Sequence, residues 1–169
     1  MKPLTHNERI QKIYAYWEEL RRGRPAPSRK DFDPMAYPRL LPHVFLYDVI
    51  DRPCALGPKT FRFRLVGTEV AAMLGTDPTG REFEQVYTAD RIGRIYGETL
   101  EVATLFRPSY VENRDAGWIG RGIISYERIL LPFSPDGETV DIILGLATFH
   151  ATQRLHYYPL SATASASAC

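Results

Sequence analysis

Ile10, Ile13, Tyr14, Trp17 and Leu20 recur at steps of three and four residues, which lines them along one face of a helix. Asn7 suits the cap of that helix, Arg21 and Arg22 suit its negative carboxyl end, and Gly23 supplies the stop. Pro25 and Pro27 keep helix from resuming, so the chain runs extended until Asp33 and Pro34. An N-cap residue followed by proline predicts a second, short helix there. The period then changes. "HVFLYDVID", from His43, is apolar on successive positions and predicts a strand covered on both faces. In "TFRFRLVG", from Thr60, Phe61, Phe63 and Leu65 alternate with Arg62 and Arg64, the pattern of a half-buried strand. The turn "RPCALGPK" makes these two an antiparallel hairpin.

"GTEVAAMLG" predicts a short helix closed by Gly75, and "TDPTGREF" a loop. From Thr88 to Phe106 the pattern is helical again, with Ile92, Ile95, Tyr96, Thr99, Leu100 and Ala103 along one side. Three strands follow, "RPSYVENR", "GIISYERILLPF" and "TVDIILGLATFH", the last two joined by the turn "SPDGE". Together these elements predict an α+β fold: a five-stranded antiparallel sheet with helices on one face, preceded by an N-terminal amphipathic helix. A pocket is expected between the sheet and those helices. Residues 1–30 would be the helix and linker, 31–152 the domain, and 153–169, which end in "SATASASAC", a disordered tail.

With 169 residues, 44% of them hydrophobic and 12% aromatic, the chain has enough apolar material for one folded core. A net charge of +1 gives no general attraction to nucleic acid or to an anionic membrane. No secretory apolar region opens the sequence and no run is long enough for a membrane span, so a cytoplasmic location is expected. Cys54 and Cys169 offer neither a disulfide framework nor a zinc site. Arg21, Arg22, Arg24, Arg29 and Lys30 are offset by Glu18, Glu19, Asp31 and Asp33, a salt-bridged seam rather than a nucleic-acid footprint. Arg29 and Asp31 are expected to hold the first helix to the domain.

Three blocks carry a resemblance: "W..LR.GR..PSR.DFDP" at Trp17–Pro34, "FRFRLVGTEVAAMLGTDPTG" at Phe61–Gly80, and "LLPFSPDGETVDIILG" at Leu130–Gly145. Together with the element order, they resemble the PAS fold and a bacterial family of short, stand-alone PAS-like proteins of unknown function. The resemblance implies a non-enzymatic sensory or regulatory module in signal transduction, responding to an unidentified small molecule or signalling protein, and it brings no catalytic residues. Flavin of the LOV type is excluded by motif, since no Asn-Cys-Arg-Phe-Leu-Gln segment exists. Haem is disfavoured because His6, His43, His150 and His156 all lie off the long helix. The cofactor therefore stays unknown.

For a ligand pocket the candidates are Tyr47, Phe61, Phe63, Arg64, Tyr96, Leu100 and Tyr126, with Tyr110 beside them. An aromatic wall with Arg64 at its rim suits a planar or carboxylated molecule. The alternative is that these rings fill the core and leave a protein-interaction scaffold. For an interface the candidates are Ile10, Ile13, Tyr14, Trp17 and Leu20, which either pack on their own sheet or pair with a second copy in a homodimer. An enzyme reading rests on Asp48, a carboxylate in an apolar strand, which would be a base in a cone-shaped isomerase if buried against an open pocket. A hydrogen-bonded structural role is its alternative. No P-loop, GxSxG or HExxH occurs, and Glu82, Glu84 and Asp90 read as solvated.

Overall fold

Asn7 starts the first helix as its type requires: the side-chain oxygen accepts from the amides of Arg9 and Ile10, and Glu8 opens the first turn. In a computed structural model of the chain, the backbone is described for residues 5–117 and 123–151, and the side chains for 5–113 and 125–150. The expected tail at 153–169 lies outside the described residues, as do His156 and Cys169. Helix α1 spans Glu8–Arg21 and ends in left-handed Arg22 and Gly23. Arg24 closes it by donating from Nη2 to the carbonyl of Leu20 at 2.8 Å.

A strap of three 3₁₀ turns follows, Arg29–Asp31, Pro34–Ala36 and Pro38–His43, in place of the single short helix expected at Pro34. Pro38 and Pro42 lack the amide protons that a longer α-helix would need. Asp33 does cap the turn at Pro34, accepting from the Met35 amide at 2.8 Å. The seam differs in its partners. Asp31 pairs with Arg24 at 2.6 Å, whereas Arg29 donates to the Phe32 carbonyl and lies over the Phe32 ring.

Strands β1 (Val44–Ile50), β2 (Thr60–Val66), β3 (Ser109–Gly117), β4 (Ile123–Phe133) and β5 (Ile142–Ala151) form one antiparallel sheet in the order β2-β1-β5-β4-β3. Helices α2 (Thr68–Leu74), α3 (Phe83–Val86) and α4 (Ala89–Leu105) cover one face. The other face is covered by α1. Its Ile10, Ile13, Tyr14 and Trp17 are buried against Leu46, Ile129, Leu131, Phe133, Leu144 and Leu146. Trp17 also donates from Nε1 to the Pro132 carbonyl at 2.8 Å. The helix therefore packs on its own sheet. The four stripe residues are no more than 7% exposed and Leu20 is partly covered.

Two local features set the geometry of the inner face. Between β1 and β2 the register slips, pairing Leu46 with Leu65 but Tyr47 with Phe63, so Arg64 is the extra residue of a bulge. The expected alternation breaks there, and Leu65 is 47% exposed instead of buried. Gly145 pairs with Phe45 across β5 and β1, and a Cβ at that position would run into the Phe45 ring. Glycine lets that ring lie across the inner face of the sheet.

Candidate functional site

Strand periodicity sends Phe45 and Tyr47 of β1, Phe63 of β2, and Ala147 and Phe149 of β5 toward α2–α4. Between the sheet and those helices lies a cavity of about 460 Å³. Its apolar walls include Phe45, Phe63, Val70, Leu74, Val86, Ile95 and Phe149, with the Tyr47 ring among them. The polar residues at its border are Tyr87, Thr88, Arg91, Arg94, Asn113, Tyr126 and Arg128.

Tyr47 anchors the aromatic side. Its ring centroid stands 4.9 Å from that of Phe45, 5.0 Å from Phe63 and 4.8 Å from Phe83. The Tyr47 and Tyr87 hydroxyl oxygens share a hydrogen bond at 3.2 Å. Burial pushes the Tyr47 hydroxyl well above the usual tyrosine range and raises Tyr87 as well, so both are neutral around pH 7.

Arg128 supplies the charge. It sits on β4 at 7% exposure, and its Nη2 is paired with Glu98 of α4. Its Nε is buried with no hydrogen-bond acceptor. Burial alone would discourage its charge, but Tyr47, Glu98 and the neighbouring tyrosines outweigh that effect and hold its pKa above the ordinary value.

The sequence candidates divide by position. Tyr47, Phe63 and Tyr126 border the cavity. Phe61, Tyr96 and Leu100 belong to the same packed layer without bordering it. Phe61 and Tyr96 have ring centroids 5.2 Å apart, and Tyr96 donates to the Lys59 carbonyl at 2.7 Å. Arg64 lies on the opposite face, bonded through Nη1 to Asp48 at 3.1 Å, because β2 alternates and the bulge falls at Arg64 itself. Tyr110 is also away from the cavity, packed beside the α1 layer and donating to Glu127 at 2.8 Å.

Asp48 follows Tyr47 on β1 and therefore points to the other face. It is held there by Arg62 and Arg64, at 2.8 and 3.1 Å. It does not face the cavity, and the base role weighed for it has no geometry behind it. Glu82 pairs with Arg52 and caps α3, and Glu84 is exposed. His6 is exposed, His43 closes the third 3₁₀ turn, and His150 stands 3.7 Å from Glu127; none of the three borders the cavity. Cys54 is half-buried, donating to the Lys59 carbonyl.

The sequence reading missed Arg128, although the signal was present. In "SYERILLPF" Tyr126, Arg128 and Leu130 fall on one face of a strand, which places a cation among buried residues. Arg91 and Arg94 stand three apart on α4 and flank Ile95, a spacing that was equally readable. Tyr87 follows α3, a single turn too short to show a period.

An antiparallel sheet covered on both faces, with a partly open cavity between one face and three helices, defines an α+β domain. The family model described as PAS domain matches residues 5–148, α1 included, and the chain belongs to that family, a group of generally non-enzymatic sensory and signalling domains. Among solved structures, the chain is similar to the PAS domain of an HTR-like protein from Haloarcula marismortui, at 23% identity and a TM-score of 0.35, over 63% of this chain and 81% of that one. No curated protein matches the chain. Among the described residues, no helix is long and apolar enough to cross a membrane.

Proposed function

We propose that this chain is a sensory module that holds a small molecule between α2–α4 and the sheet, and passes its occupancy through β4 to the face where α1 sits and a partner protein would read it. The observation that carries this reading is the cavity. Its volume, about 460 Å³, is that of small-molecule sites, and it combines aromatic walls with a few polar groups. Strand β4 supports the second half of the reading. Tyr126 and Arg128 face the cavity while Ile129, Leu131 and Phe133 seat α1, so a displacement of the strand on one side is felt on the other. Asp48 favours binding over catalysis, since the one carboxylate weighed as a base is turned away and matched by two arginines.

The test is mass spectrometry of the intact chain, gently purified and sprayed from native buffer, then again after denaturation. A retained small molecule that denaturation releases is expected. A bare chain, with no change in melting temperature across a panel of small metabolites, would favour an interaction scaffold and overturn the sensor reading.

A further inference from the structure

Given that the cavity is a ligand site, as proposed above, we propose that its ligand is a small organic acid with a ring-sized apolar body, its carboxylate bound by Arg128. A guanidinium offers five N–H donors in a planar fork that matches a carboxylate. Among the described residues Arg128 makes one such bond, from Nη2 to Glu98, while its Nε is buried without an acceptor in a residue only 7% exposed. Arg128 borders the cavity, and with its Nε left without an acceptor and Nη2 on Glu98 the guanidinium is short of acceptors, a shortage that a carboxylate in the cavity would meet at the remaining Nη donors.

The rest of the wall has the same polarity. Arg91 and Arg94 join Arg128 at the border, and no Asp or Glu is among the described lining residues. In the Tyr47–Tyr87 pair one hydroxyl donates to the other, leaving the second O–H to donate elsewhere. The lining thus offers several N–H and O–H donors. Phe45, Phe63, Val70 and Leu74 add apolar wall suited to a ring rather than to more charge. Glu98 already meets part of the Arg128 charge, and the planar fork left to the ligand matches the two oxygens of a carboxylate. A carboxylate fits this balance better than a phosphate does.

The experiment is a calorimetric titration of the full chain with 1-naphthoate, its neutral counterpart 1-naphthamide, and 1-naphthyl phosphate. The expected order has 1-naphthoate tightest, by about tenfold over the amide, the contribution of a charge-assisted hydrogen bond. Arg128→Gln should abolish that preference. Arg94→Gln, at an exposed position that does not endanger the fold, should weaken 1-naphthoate about threefold and leave the amide unchanged. Glu98→Gln should tighten 1-naphthoate by freeing the guanidinium, an effect no merely structural role would give.

Equal binding of acid and amide would overturn the inference while the sensor reading stood. Tighter binding of the phosphate would overturn it too. If none of the three binds at millimolar concentration the inference fails. If the native mass spectrum is also bare, the sensor reading fails with it. Should Arg128→Gln not fold, the acid-to-amide ratio and Arg94→Gln still decide.

Discussion

Trp17→Ala is expected to lose about 3–5 kcal/mol of folding stability, read as a lower urea midpoint with the same dependence on urea. The indole is 2% exposed, stacks on Tyr14 at 6.2 Å between centroids, and carries the Arg21 guanidinium at 5.6 Å. Truncation removes this area from the α1 layer and strips the Pro132 carbonyl of its donor. Both effects act on β4, which the helix holds from the outside. A loss below about 0.5 kcal/mol, the range of surface substitutions, would mean that α1 is not docked.

The second large effect is expected at alkaline pH. Tyr47 and Tyr87 have pKa values raised by burial in the folded chain, with Tyr47 far above its ordinary value. Below about pH 10 both states keep these protons, and pH does not act through them. Above it the unfolded chain ionises while the folded chain stays protonated, so the unfolded state binds fewer protons and stability falls as pH rises. Each proton that differs contributes about 1.4 kcal/mol per pH unit. Urea unfolding followed from about pH 8 to 11.5 should therefore steepen above 10, and Tyr47→Phe should flatten the fall. Tyr14, Tyr96 and Tyr110 are raised as well, but they remain in both proteins and cancel in the comparison. Identical slopes for wild type and Tyr47→Phe would contradict the buried position of the hydroxyl.

Much of the fold was legible because long amphipathic elements state their faces. The α1 stripe, the two-sided apolar run at Val44–Tyr47 and the α4 stripe each match a buried layer. What the stripe of α1 could not state was its partner, since a helical period records that a face is covered and not by what. Leu65 shows another limit: a one-residue bulge at Arg64 turns it outward, and alternation alone carries no mark of the slip. The strap between Arg29 and His43 broke into 3₁₀ turns because prolines compete with the helix that Asp33 and Pro34 announce.

The cavity was legible in part. Tyr47, Phe63 and Tyr126 could be placed on an inward face by period, whereas Phe61 and Tyr96 share that face but stand one layer away, a distinction in three dimensions with no counterpart in spacing. Arginine is expected at the surface, which puts Arg64 at a pocket rim and passes over Arg128. Inside a strand whose neighbours are Tyr126 and Leu130, that expectation fails, and the exception is the more informative residue.

The most direct measurement is the indole N–H resonance of Trp17, assigned with Trp17→Phe against the one other tryptophan and followed by NMR during titration with 1-naphthoate. Trp17 lies across the sheet from the cavity and is bonded to β4 at Pro132. The expected result is that its resonance moves in step with the signals of cavity residues on β4, with the same midpoint. Cavity signals that shift while the Trp17 resonance stays fixed would contradict transmission through the sheet.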